Sequence, residues 1–217
     1  MTSQQNSPDE LDARSWAYAE DFVIPSASLD ESRQAALGLG VTPLSTGTAA
    51  ALRFLARAID AKHVVELGTG SGTSGLALFE GMAPDGILTS IAPEADRQAE
   101  ARAAFTRAGI GTPRFRLIAG SPLEVLPKLR DGAYDLVFIN GDKLEYVEYV
   151  TEALRLLRHR GMVVVNEVLW KNLVADADDE SDEAMIIREA LESVKETEEF
   201  TSALLPVGMG LLVAIKD

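Results

Sequence analysis

Apolar residues open the chain at helical spacing, and from about residue 62 the pattern changes to short β-rich runs alternating with helical ones. Trp16, Ala19, Phe22 and Val23 form a first apolar stripe, behind Ser7-Pro8 and Glu10, which offer a cap and a proline at the first helical position. Ser28, with Glu31 three residues on, reads as a capping box for a second helix that Gly38 and Gly40 end. A third helix, about 45–58, places Leu44, Leu52, Leu55 and Ile59 along one face. Strands are then predicted at 63–67, 87–91, 114–118, 135–139 and 162–165, separated by helices near 76–82, 94–108, 121–129 and 143–158. The run Asp135-Leu136-Val137-Phe138-Ile139 is almost wholly apolar, as a strand covered on both faces requires.

The last third departs from this alternation. After an acidic helix at about 181–198, runs at 201–206 and 211–215 are joined only by Val207-Gly208-Met209-Gly210. Parallel neighbours need a crossover of a dozen residues or more, so this pair is a hairpin. The pattern therefore predicts an α/β fold: seven strands, five of them parallel and the last two an antiparallel hairpin, with helices on both faces and a helical N-terminal arm. No internal repeat or long linker divides the chain. Residues 1–40 read as an arm belonging to the same domain as 41–217.

Composition narrows the function classes. At 217 residues, 47% hydrophobic and 25% charged, the chain is long enough to bury a core without staples. It contains no cysteine, which excludes a disulfide framework, a thiolate zinc site and a cysteine nucleophile. No secretory signal pattern and no run of about 18 apolar residues is visible, so a cytoplasmic protein without a membrane span is expected. The net charge of −14 is localised: residues 1–35 hold seven acids against two bases, and 176–199 hold eleven against two. A chain this acidic, with no basic stripe, is not expected to bind nucleic acid.

The chemistry concentrates after the first strand. Glu66-Leu67-Gly68-Thr69-Gly70-Ser71-Gly72-Thr73-Ser74-Gly75 is a glycine loop opening a helix, where free N–H groups and close backbone approach favour a ligand. Gly70, Gly72 and Gly75 satisfy the dinucleotide spacing G-x-G-x-x-G, but counted from Gly68 the third position is Thr73 and the pattern fails. Glu66 just before the loop would repel a pyrophosphate. It suits a ligand with both an ammonium and a carboxylate, the first facing Glu66 and the second facing Ser74 and the helix N-terminus.

This acid-x-Gly-x-Gly-x-Gly loop resembles the first motif of S-adenosylmethionine-dependent methyltransferases. Tyr134 to Lys143, followed by Tyr146 and Tyr149, resembles the segment F-D-x-V-F-I-D-A-D-K-x-x-Y-x-x-Y of the catechol and caffeoyl-coenzyme A O-methyltransferases. Gly161 to Trp170 resembles that family's G-x-x-x-x-D-N-x-L-W, and Val41-Thr42-Pro43 lies where the family places a segment closing over the cofactor. The likeness runs from about residue 35 to the C-terminus. It implies a Rossmann-like methyltransferase fold, S-adenosyl-L-methionine as cofactor, a small-molecule hydroxyl as acceptor and a homodimer. By the same resemblance Val41, Glu66, Gly68, Thr69, Gly70, Ser74, Ala92, Pro93, Ser121 and Asp142 line the cofactor site, Lys143 is the base, and Asn140 and Trp170 meet the acceptor.

Two departures stand out. The family holds a divalent ion, usually magnesium, with two aspartates and an asparagine; here those positions are Asn140, Asn166 and Glu167, one carboxylate and two amides. The expectation is a degenerate site with weak metal binding or none, and Asn166 and Glu167 also read as ordinary strand-end residues. At the end of the second strand, where an acid accepts from the ribose hydroxyls, this chain has Ala92, with Glu94 two residues on as the available substitute. Tyr146 and Tyr149 are equally compatible with core packing, and residues 176–180 with a solvated loop or a screen against anionic acceptors. Trp16 and Phe22 could cover the acceptor pocket or a second subunit. The resulting readings are an O-methyltransferase with reduced metal dependence, a non-catalytic descendant that binds cofactor or partner, and, remotely, a nicotinamide-dependent oxidoreductase.

Overall fold

The computed structural model describes residues 11–217. The cap and proline assigned to Ser7, Pro8 and Glu10 lie outside the described residues. Helix α1 (Ala13–Glu20) is capped by Asp12, whose side chain accepts from the N–H groups of Arg14 and Ser15, and it ends before Phe22 and Val23. Helix α2 (Ala27–Gly38) starts from Ser26 and not from the expected Ser28. Ser26 Oγ accepts from Leu29 N at 3.2 Å and donates to Glu80 at 2.5 Å, so a tertiary partner selects the cap. Helix α3 (Thr46–Ala58) follows, capped by Ser45.

The sheet comprises β1 (His63–Leu67), β2 (Ile87–Ala92), β3 (Phe115–Ala119), β4 (Tyr134–Ile139), β5 (Leu157–Asn166), β6 (Phe200–Leu205) and β7 (Leu211–Lys216), in spatial order β3-β2-β1-β4-β5-β7-β6. The first five are parallel, and β7 runs antiparallel to both β5 and β6. Alternation along the buried strands divides the core. Val64, Leu88, Leu136, Phe138 and Val164 face α3, α4 (Thr73–Gly81) and α5 (Ala95–Arg107). Val65, Leu67, Ile91, Val137, Ile139 and Val165 face α7 (Tyr146–Leu156) and α8 (Asp182–Glu196).

Two boundaries differ from expectation. The helix predicted over 121–129 is the short α6 (Pro122–Val125) followed by a 3-10 turn at Leu126–Lys128, because Pro127 has no N–H to continue the ladder. The helix predicted to reach 158 stops at Leu156, and β5 begins at once. Leu157 pairs with Tyr134, the register then shifts, and Met162 pairs with Leu136; Arg160, at φ 60°, lies in the intervening bulge. Asp135 secures this end of the sheet, accepting from Lys62 N at 2.8 Å, His63 N at 2.7 Å and Arg158 Nε at 2.6 Å. All five parallel strands thus deliver their C-terminal ends, and the loops that follow, to one edge.

Candidate active site

The glycine loop sits at that edge between β1 and α4. Gly68, Gly70 and Gly72 have φ of 93°, 50° and 90°, a left-handed series that side-chain-bearing residues adopt only with strain. A Cβ on Gly68 would collide with the carbonyl oxygen of Asn140, so β1 and β4 can approach here only with glycine. Beneath the loop Glu66 is fully buried, with Ser74 Oγ donating to one carboxyl oxygen and Ser90 Oγ to the other, each at 2.5 Å. Burial pushes its carboxyl up to about 7, outweighing the two hydroxyl donors, which act the other way. Glu66 and Ser74 therefore bond each other under the loop. On the far side Ser32 of α2 bonds the carbonyl of Ser71 at 3.2 Å and the hydroxyl of Thr73 at 3.0 Å, and Ser71 Oγ returns a bond to Ser32 O at 3.2 Å.

A cleft of about 470 Å³ opens beside the loop, within the roughly 300–1,000 Å³ range of small-molecule sites. Val41, Gly68, Gly70, Pro93, Ser121 and Asp142 all line it. Thr69 and Ser74 line a smaller inner recess shared with Val41, Gly68 and Gly70. Ala92 is buried and contributes its carbonyl to Gln98 Nε2 and Gly120 N, both at 3.1 Å. The cleft wall after β2 is Pro93 and Glu94 instead. Sequence reasoning missed Arg97, Gly141 and Glu145 as lining residues, and Tyr149, which both packs in the core and borders the cleft. Its hydroxyl donates to Glu145, and burial, then that carboxylate, push the phenol far above its usual range.

The chemistry of this donor set discriminates between cofactors. Glu94, Asp142 and Glu145 bring three carboxylates to the wall, and its one guanidinium, Arg97, is paired with Glu94 at 3.3 Å. Such a wall repels a pyrophosphate and accepts an ammonium, a sulfonium or hydroxyl donors. At Gly70 nothing lies within 4 Å of the point where a side chain would begin, which leaves the cradle open to a ligand's backbone contacts.

Asn140 forms the wall between this cleft and a second cavity of about 140 Å³, lined by Thr42, Pro43, Leu44, Ser45, Thr48, Asn166, Glu167 and Met209. The three positions aligned with the family's metal ligands do come together, but two of them bond each other and the third pairs with a lysine. Asn166 Nδ2 donates to Asn140 Oδ1 at 2.9 Å, and Glu167 is ion-paired with Lys143 Nζ at 2.6 Å. Lys143 also lies 4.6 Å from the Trp170 ring centroid and 5.7 Å from that of Tyr146. Trp170 itself meets the lysines and lines neither cavity. One carboxylate already neutralised by an ammonium, beside two amides bonded to each other, does not fit a resident dication. Among the described residues, no group of three or more His, Cys, Asp or Glu side chains is placed to hold a metal ion.

A doubly wound sheet closed by a terminal hairpin, with a glycine-loop cleft opening toward a second small cavity, defines a Rossmann-like methyltransferase. The chain belongs to the O-methyltransferase family, whose model matches residues 25–217. It is 43% identical over 201 residues to a protein of Mycobacterium sp. (strain JLS) named as an O-methyltransferase, covering 93% of this chain and 91% of that one. Its fold is similar to that of the O-methyltransferase TomG from Streptomyces achromogenes, solved in complex with S-adenosylmethionine, at TM-score 0.84 and 25% identity over 95% of this chain and 99% of that one. Cofactor-bound Rv0187 from MTB gives 0.83 and 27% over 97% and 99%.

Proposed function

We propose that this O-methyltransferase binds S-adenosylmethionine in the 470 Å³ cleft and methylates one hydroxyl of a small molecule held in the cavity beyond Asn140. The observation that carries the reading is Asn140 itself, one residue bordering both chambers, so that donor and acceptor meet across a single side chain. Bound there, the cofactor supplies an electrophilic methyl group on a sulfonium. Gly68 and Gly70 admit it to the backbone, Asp142 and Glu145 offer carboxylates to its ammonium end, and Ser121 borders the adenine end. Glu94 takes the place of the acid missing at Ala92 and accepts from the ribose hydroxyls. Glu66 acts from below, through Ser74 and Ser90, by fixing the loop.

Asn140, Asn166 and Glu167 serve the acceptor more than any metal, because Asn140 Oδ1 already accepts from Asn166 and the Glu167 carboxylate is paired with Lys143. The reading favours weak metal dependence or none. The arm is proposed to be part of the same domain, an assignment supported by the bonds from Ser32 to the glycine loop. No helix among the described residues is long and apolar enough to cross a membrane, and a cytoplasmic setting without nucleic-acid partners fits the acidic chain. A homodimer is proposed from the exposed apolar side chains of Tyr18, Phe22, Ile24 and Phe54.

The test is calorimetric titration of S-adenosylmethionine into chelator-treated protein. Micromolar binding is the expected result, and its weakening on the order of tenfold in Glu94→Ala checks the ribose assignment. Absence of binding with and without millimolar magnesium would return the chain to the non-catalytic reading.

A further inference from the structure

The ion pair at the acceptor end divides labour in a way that the family resemblance does not imply. Resemblance makes Lys143 the base, yet Lys143 does not line the acceptor cavity, whereas Glu167 does. An ammonium engaged at 2.6 Å with a carboxylate has three N–H donors and no lone pair to receive a proton. Of the residues lining that cavity, Glu167 is the one that carries a carboxylate; the others offer amides, hydroxyls or apolar surface. Ser45 Oγ is directed to Thr48 Oγ1 at 2.9 Å, and the two amides bond each other, so these groups are partly satisfied.

The backbone points the same way. Glu167 has φ 57° immediately after β5, and Trp170, Lys171 and Asn172 follow at 30°, 55° and 68°. Four left-handed, side-chain-bearing residues within six are costly, roughly 1–3 kcal/mol each where the conformation is sparsely populated, and such strain concentrates at functional sites. Trp170 then packs against Lys143, which holds Glu167.

We propose that Glu167 is the proton acceptor for the acceptor's hydroxyl, that Lys143 is its positioning residue, and that the acceptor is a compact uncharged phenol presenting one hydroxyl, in place of a metal-chelating vicinal diol. The proposal rests on the methyl-transfer reading above. The hydroxyl proton passes to Glu167, an oxygen electron pair forms the new O–CH3 bond, and the C–S bond breaks with its pair left on sulfur, which becomes a neutral thioether. Glu167 then releases the proton to solvent. The cavity, at about 140 Å³, matches the roughly 150 Å³ that accommodates one benzene ring. Pro43, Leu44 and Met209 supply its apolar wall; an anionic acceptor would be repelled by the Glu167 carboxylate, and a cationic one would have to compete with Lys143 for it.

The experiment uses the full chain with S-adenosylmethionine, in excess chelator, against paired panels of monohydric phenols and vicinal diols. Cofactor binding is measured on the same samples. The expected result is methylation of at least one monohydric phenol at a rate unchanged by chelator. Glu167→Gln should lower kcat by about 10²–10⁴-fold with KM moved only a few-fold, and Glu167→Asp should recover part of the loss. Lys143→Met should lower kcat less than Glu167→Gln, and Lys143→Arg should restore it. A second readout needs no turnover: manganese titrated into the wild-type chain should show no binding tighter than millimolar.

Turnover confined to vicinal diols and abolished by chelator overturns the proposal. So do an unchanged kcat in Glu167→Gln, micromolar manganese binding, and failure to methylate any monohydric phenol by a chain that binds S-adenosylmethionine. Failure to bind S-adenosylmethionine instead removes the methyl-transfer reading beneath it.

Discussion

Glu66 holds a proton in the folded chain up to about pH 7, against an ordinary value of 4.5. Between those values the folded state carries a proton that the unfolded state has lost. This group's contribution is therefore most favourable below about 4.5 and declines as pH rises toward 7, by roughly 1.4 kcal/mol per unit where the two states differ fully. Glu66→Gln should remove that decline, so the cofactor-free variant gains stability on wild type as pH rises from 5 to about 7. Denaturant unfolding at several pH values measures the difference. Asp135 behaves oppositely. Burial raises its carboxyl, but the N–H of His63, the Arg158 guanidinium and the N–H of Lys62 outweigh that and hold it below its ordinary 3.8. Its contribution is present above that value and is lost as pH falls through the lowered one. Asp135→Ala leaves two strand-start N–H groups without their acceptor and should cost about 2–3 kcal/mol at neutral pH, read from the same unfolding curves.

At the scale of elements, α1 is tied to the acceptor end by one side chain. Glu20 accepts from Gly47 N at 2.7 Å and Gly208 N at 3.1 Å, joining the first turn of α3 to the β6–β7 turn. Ser45, Thr48 and Met209, flanking those two glycines, line the acceptor cavity. Glu20→Ala should therefore raise the acceptor's KM several-fold and leave S-adenosylmethionine affinity within twofold, a contrast that steady-state kinetics and calorimetry together report. Nothing in the sequence marks Glu20, because its partners lie 27 and 188 residues away. The elements themselves were largely legible. Apolar runs located the strands, and a four-residue link required the hairpin. What escaped was decided by tertiary partners: Ser26 caps α2 because Glu80 reaches it, and β5 starts early because Leu157 can pair with Tyr134. The metal-ligand positions were legible as altered residues. Their pairings were not, since a sequence lists an asparagine or a glutamate without saying which neighbour it has already bonded.

For the whole molecule, exposed apolar side chains and acidic excess meet in the same N-terminal segment. Tyr18, Phe22, Ile24 and Phe54 are each at least 70% exposed, an apolar concentration on the arm side of a chain whose net charge is −14. If these side chains form the proposed dimer contact, Phe22→Glu combined with Phe54→Glu should shift the sedimentation coefficient from dimer to monomer and leave the thermal transition of the α/β core nearly in place. The knot of Ser32, Ser71 and Thr73 has a different consequence, one for engineering by recombination. Because a hydroxyl from α2 is built into the loop at the cofactor cleft, α2 is not an interchangeable element. Chimeras that borrow a relative's N-terminus only as far as Ser26 would trade acceptor preference alone, whereas those joined at residue 40 would import a foreign half of that knot and alter cofactor affinity at the same stroke.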